Sequence, residues 1–184
     1  MPSIAITGTL GSGKSLLLRE LHDILIQRGI PVTAWSADDE NRRLLSGDEE
    51  IRAKIASTLG SQCLDERGHP DRTKLSALVS ADSNARKALE AIMHPRLESV
   101  WRPMAEAHRG ETTPFFVAEI PLLYEKGLEG FFDRVLVTGS SQRILKSRLA
   151  KTRSMTGEQA DRWLSIQQSQ DQKITLAPLP GARG

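Results

Sequence analysis

Apolar positions recur with two different periods along the chain. Short apolar runs at Ser3 to Thr7, Val32 to Ser36, Phe115 to Glu119 and Arg134 to Thr138 read as strands. Elsewhere the spacing is helical. Leu17, Leu18, Leu21, Ile24 and Leu25 share one face of a helix predicted from Ser15 to Arg28, which Gly29 and Pro31 stop. From Glu40 to Arg109 no strand pattern occurs. Ile51, Ile55 and Leu59 stand four apart until Gly60 ends the run, and Leu64 to Arg72 has turn composition around Gly68 and Pro70. Helices are predicted near Thr73 to Val79 and over Ala85 to Trp101, where Pro95 should bend the helix or split it after His94. Two further helices are predicted near Ser141 to Lys151 and from Thr156 to Gln170, and the Pro- and Gly-rich end of the chain reads as a disordered tail.

The first strand and helix flank Gly8-Thr9-Leu10-Gly11-Ser12-Gly13-Lys14-Ser15, which fits G-x-x-x-x-G-K-[ST]. Gly8, Gly11 and Gly13 permit backbone angles closed to other residues, so successive N–H groups can turn inward around a phosphate at the helix start. Lys14 would reach the β- and γ-phosphates and the Ser15 hydroxyl would ligate Mg²⁺, with Leu16 continuing the nucleotide site into the helix. The alternative is a glycine-rich turn that contains Gly-Lys-Ser by chance; the strand before it and the helix after it favour a nucleoside-triphosphate site. The whole pattern predicts an α/β protein with the P-loop three-layer fold and a parallel sheet. Residues 1–39 and 112–177 would form the nucleotide-binding core, residues 40–111 a helical insertion, and 178–184 the disordered tail.

Composition changes this picture little. In 184 residues, Lys plus Arg number 25 against 23 for Asp plus Glu, so no overall field points to nucleic acid or an anionic membrane. A lone cysteine, Cys63, excludes an intrachain disulfide and suits a reducing compartment; with no membrane-span-length apolar run and no signal-like N-terminus, the expected setting is cytoplasmic.

Other candidate chemistry lies at strand ends and on one basic helix. Asp38 follows the second strand and Glu119 ends the third, where open α/β sheets carry ligands, and either could serve a hydrated Mg²⁺. Asp38, Asp39 and Glu40 equally suit the acidic first turn of a helix. Arg143, Lys146, Arg148, Lys151 and Arg153 spread over more than one helical face, so most must be solvated; Arg148 and Arg153 are candidates to stabilise phosphoryl charge. His94 is either a hydrogen-bonded histidine at a helix break or part of a site.

Together and in this order, these residues resemble the dephospho-coenzyme A kinase family, P-loop kinases that phosphorylate the ribose 3′-hydroxyl of dephospho-coenzyme A. The resemblance runs from about Ile4 to about Lys173. The family's Asp-Ala-Asp stands here as Ser36-Ala37-Asp38, its Asp-Arg-x-x-Leu as Asp71-Arg72-Thr73-Lys74-Leu75, and its His-Pro as His94-Pro95. Its Asp-x-Pro-Leu-Leu-x-Glu stands as Glu119-Ile120-Pro121-Leu122-Leu123-Tyr124-Glu125, and the lid as Gln142, Arg148, Arg153 and the later Gln167. The resemblance implies that Asp38 is the base or orienting group for the acceptor hydroxyl and that Glu119 meets Mg²⁺ through water. It makes Arg148 and Arg153 a phosphate clamp, and lines the dephospho-coenzyme A side with Arg72, His94, Pro121, Leu122, Leu123 and Glu125.

Three positions depart from the family pattern: Ser36 replaces a carboxylate, Glu119 is one carbon longer than aspartate, and an Ala-Asp segment with a last strand and helix does not follow Lys173. The expected consequence is an exposed sheet edge at Arg134 to Thr138, with Val135, Leu136 and Val137 open to edge-to-edge association and weaker discrimination between ATP and GTP. Ile174 to Leu176 could instead form a stub of that strand. Two other functions fit the phosphate loop alone: a kinase for another small hydroxyl or nucleotide acceptor, and a catalytically silent nucleotide-binding protein.

Overall fold

The computed structural model describes residues 3–108, 114–153 and 155–177, with Arg153 described by its backbone alone. The tail expected at 178–184 lies outside these residues. The chain divides into two compact units, one of residues 1–36 and 101–184 and one of residues 37–100.

In the first unit the sheet grows outward from β1 (Ser3–Gly8), which is flanked by β3 (Phe115–Glu119) and β4 (Arg134–Thr138), while β2 (Val32–Ser36) pairs with the far side of β3. All pairings are parallel, and the order is β2-β3-β1-β4. The two central strands are almost wholly buried, as continuous apolar runs in a covered parallel sheet should be. Register brings Ser36, Glu119 and Ile6 level, and Gly8 beside Thr138. The carboxyl ends of the strands therefore gather the glycine loop, a carboxylate and two hydroxyls.

Adjacent residues of β3 point to opposite faces, so its neighbours show what covers each. Val117 packs with Ile6 and with Leu17, Leu18 and Leu21 of α1 (Lys14–Gln27). Phe116 instead faces aromatic residues: Phe132 stacks on it at 6.5 Å between centroids and on Trp101 at 5.3 Å, with Phe131 edge-on to Trp101 at 5.7 Å. The α1 face matches its pattern except at Ile24, which is 45% exposed because it sits at the margin of the apolar stripe. At the other side of β1, β4 is an edge of the sheet among the described residues, with Leu136 37% exposed.

The C-terminal part of this unit contains α6 (Gln142–Arg153), α7 (Gly157–Ile166) and α8 (Gln170–Leu176). The single helix expected from Thr156 to Gln170 is thus two. Each starts in a capping box, Thr156 with Gln159 and Ser169 with Gln172, and Gln167 between them is extended. The strand stub considered at Ile174 to Leu176 is helical, because the Ser169 cap commits these residues to α8 and their backbone bonds locally.

The second unit is helical: α2 (Ala37–Gly47), α3 (Glu49–Leu59), α4 (Arg72–Ala81) and the first part of α5 (Ser83–Ala107). Asp48 caps α3 by accepting from Ile51 N at 3.1 Å, and Asp71 caps α4 by accepting from Thr73 N and Lys74 N. The bond from Ile51 N, helped by Arg96, holds the Asp48 carboxyl below its usual range. Ile51, Ile55, Leu59, Cys63, Leu75, Val79, Met93 and Leu97 are buried here, and burial pushes the Cys63 thiol upward. Among the described residues no helix is long and apolar enough to cross a membrane.

Of the bend or split expected at Pro95, the split does not occur: α5 runs unbroken for 25 residues. Pro95 is on its exposed face while Met93, Leu97 and Trp101 are buried, so the missing N–H costs one bond on the wet side and packing holds the rest. Pro95→Ala should therefore stabilise the protein, by up to about 3 kcal/mol, seen as a higher urea midpoint. A lower midpoint would show that the proline sets a bend the packing requires.

Candidate active site

The loop between β1 and α1 is shaped by contacts as well as by glycine. Gly8 has φ 152°, and a Cβ there would collide with the carbonyl and hydroxyl of Thr138 and with the Ser12 hydroxyl. This close approach leaves only glycine at the end of β1. Thr138 Oγ1 donates to Thr7 O at 3.2 Å and meets Ser12 Oγ at 2.6 Å, so Ser12 is its donor. Ser12 N closes a turn on Thr9 O at 3.1 Å, and Gly13, at φ 101°, turns the chain into α1, where Gly13 O accepts from Leu17 N. Backbone N–H groups at the start of α1 are then free of helical partners and lie at the positive end of its dipole, which makes an anion site.

Lys14 is buried, 7% exposed, and its Nζ donates to Gly8 O at 3.2 Å and Thr9 O at 3.0 Å. Its ammonium thus lies across the loop among backbone carbonyls. Thr9 and Ser12 are also buried, while Leu10, Gly11 and Ser15 keep access and Leu16 is 51% exposed.

Glu119 is the buried carboxylate of the site, 1% exposed. One oxygen accepts from Ser15 Oγ at 3.0 Å and the other from Ser36 Oγ at 3.2 Å. Register explains the meeting, since Glu119 is level with Ser36 at the ends of β3 and β2. Among the described residues no group of three or more His, Cys, Asp or Glu side chains gathers as a metal cage. One carboxylate with hydroxyl oxygens suits a hard divalent cation that takes its other ligands from phosphate and water.

α6 packs against the loop. Gly11 has Leu149 and the Leu145 carbonyl within ordinary contact of where a Cβ would stand. Arg148 Nη1 donates to Gly11 O and to Ser140 Oγ, both at 3.3 Å. The structure therefore brings Arg148 to the phosphate loop. The side chain expected of Arg153 lies outside the described residues.

The loop after β3 divides into parts. Pro121 O accepts from Thr7 Oγ1 at 3.1 Å, Leu122 is half-buried, and Leu123 is fully buried in the core. Burial pushes the Tyr124 hydroxyl upward. Glu125 accepts from Lys173 Nζ with both oxygens, at 2.8 and 2.7 Å, and from Gln168 N at 2.9 Å. Gln167 Oε1 accepts from Leu10 N of the phosphate loop at 2.9 Å. Sequence reasoning missed Thr138 and Lys173, which carry no local signal: each acts through a partner more than forty residues away.

Asp38, Arg72 and His94 belong to the second unit. Asp38 lies exposed in the first turn of α2, two residues beyond Ser36, with no loop between β2 and α2. Arg72 is exposed at the start of α4, and His94 is half-buried in α5.

A family model described as dephospho-CoA kinase matches residues 3–179. A dephospho-CoA kinase of Anaeromyxobacter dehalogenans is 34% identical over 177 residues, 96% of this chain and 81% of the relative. One from Xanthomonas euvesicatoria pv. vesicatoria is 35% identical over 177 residues, 95% of this chain and 82% of the relative. Among solved structures, TT1252 from Thermus thermophilus superposes with a TM-score of 0.68 at 27% identity, covering 95% of this chain and 84% of that one. The Campylobacter jejuni dephospho-CoA kinase shares the fold at a TM-score of 0.60 and 24% identity, over 96% of this chain and 85% of that one. With a phosphate loop, a buried strand-end carboxylate and an α6 arginine bonded to that loop, and a family match over nearly its whole length, this chain belongs to the dephospho-CoA kinase family.

Proposed function

We propose that the chain transfers the γ-phosphoryl group of ATP to the ribose 3′-hydroxyl of dephospho-coenzyme A, giving coenzyme A and ADP. The single observation that carries this reading is the family match over residues 3–179; it is supported by a glycine loop in which Lys14 bonds Gly8 O and Ser15 donates to Glu119. The same match leaves no observation favouring a different acceptor or a silent nucleotide-binding role.

The loop N–H groups and the α1 dipole hold the triphosphate, and Lys14 exchanges its carbonyl partners for phosphate oxygens. We assign the divalent cation as Mg²⁺; Ser15, with Glu119 acting through water, would hold it, and it would supply positive charge to offset that of the phosphates. Ser36 keeps Glu119 aimed by occupying its second oxygen. Arg148, already at Gly11 O, supplies a guanidinium for charge on the transferring group. Asp38 accepts or orients the proton of the attacking hydroxyl. Residues 40–111, with Arg72 and His94, together with Pro121 and Leu122, take the acceptor, and about 140–157 form the lid. Leu123 and Glu125 act from within the protein, where the fold holds them. The setting is cytoplasmic, supported by the free, buried thiol of Cys63, which suits a reducing compartment.

Lys14→Ala is expected to remove turnover and to relax the loop, because its ammonium also bridges Gly8 O and Thr9 O. Coupled ADP release beside circular dichroism checks this, and activity within a few-fold of the parent would place the triphosphate elsewhere. Asp38→Asn should lower kcat by about a hundredfold or more with little change in ATP affinity. An unchanged kcat would leave Asp38 as a first-turn residue of α2. Arg148→Ala should lower kcat by about a hundred- to a thousandfold and ATP binding far less. Equal loss of both in stopped-flow and equilibrium measurements would make Arg148 a ground-state ligand.

A further inference from the structure

Lys173 of α8 is fully buried, and a lysine is almost never found so without a specific partner. Its three donors are all used, two on the Glu125 carboxylate and one on Pro121 O at 3.3 Å. An ion pair taken out of water adds little net stability, since desolvation offsets most of the attraction. What such a pair does supply is fixed geometry, so its neighbours show what it positions. Both acceptors lead to the phosphate loop. Pro121 O also accepts from Thr7 Oγ1, one residue before Gly8. Glu125 also accepts from Gln168 N, and the adjoining Gln167 carries the side-chain oxygen that accepts from Leu10 N. One turn further, Gln170 Oε1 accepts from Ser140 N at 2.6 Å, and Ser140 Oγ is a partner of Arg148.

We propose that Lys173 is a positioning residue for the nucleotide: by clamping Glu125 it fixes the connection between α7 and α8, so that Gln167 holds Leu10 N–H and sets the shape of the phosphate loop. The inference rests on the kinase reading for its meaning; Lys173 also bonds Pro121 O, on the side assigned to the acceptor, so the test is read on the triphosphate side alone. Neither Lys173 nor Gln167 reaches the acceptor in this scheme. Loss of the clamp therefore weakens ATP binding by loosening a pre-formed loop, which must then be ordered by the ligand itself.

The test is calorimetric titration of the full chain with ATP and magnesium, with no acceptor present. Gln167→Met keeps the side-chain length and removes the carbonyl, and it is expected to weaken ATP binding by about tenfold, the effect of one lost hydrogen bond. Lys173→Met is expected to act by a similar factor, and the double variant no more than the stronger single, because both work through the Leu10 contact. If Lys173→Met fails to fold, Glu125→Gln/Lys173→Met takes its place in the cycle, since it leaves no buried charge unpaired. Unchanged ATP affinity in Gln167→Met, or full additivity in the double variant, would overturn the proposal. So would a lysine variant that melts lower yet binds ATP as before, which is the mark of a purely structural residue. A parent chain that binds ATP but releases no ADP with dephospho-coenzyme A would overturn the kinase reading instead, and the ATP-affinity cycle would remain readable.

Discussion

The backbone of β1 and the end of β4 meet at Gly8 and Thr138 with no space for a side chain between them. Everything at the phosphate end of the molecule depends on that approach. It lets Thr138 bond both Thr7 O and Ser12 Oγ, so the loop leaves the sheet already turned. A loop fixed before the ligand arrives loses less entropy on binding it, and its N–H groups need no reorganisation to meet a phosphate.

Glu119 extends the same logic across the sheet. A carboxylate that is 1% exposed must be satisfied, and its two oxygens are taken by hydroxyls from α1 and from β2. The resemblance places a shorter acid at this position; here the longer Glu119 accepts from Ser15 with one oxygen and from Ser36 with the other. Ser36 stands where the resemblance places another acid; a hydroxyl there donates to Glu119, whereas a second carboxylate would repel it. The two departures are therefore compatible with one another in this structure.

Most of the fold was legible because its elements are locally determined. All four strands stand where their apolar runs put them, and α1, α3 and α4 start and stop at recognisable glycines and caps. The break between α7 and α8 was also written locally, in Thr156 with Gln159 and Ser169 with Gln172, but no glycine or proline between Glu158 and Ala177 marks a stop, and the polar run after Ile166 reads as the exposed face of one helix. Pro95 suggested a split that the helix does not make. Its local penalty is real, yet packing of Met93, Leu97 and Trp101 outweighs one missing bond on an exposed face.

By itself, the sequence determined the phosphate loop, because eight consecutive residues between a strand and a helix carry the whole chemistry of turning N–H groups toward an anion. It determined the parallel α/β class for a similar reason, since period and run length are properties of single elements. Only the tertiary structure decided what long polar side chains do. Lys14 lies buried across loop carbonyls, Glu125 turns inward to Lys173, and Gln167 reaches Leu10. Each of these side chains has several rotatable bonds and a choice of partners, and the choice is made by whichever distant backbone the fold brings within about 3 Å.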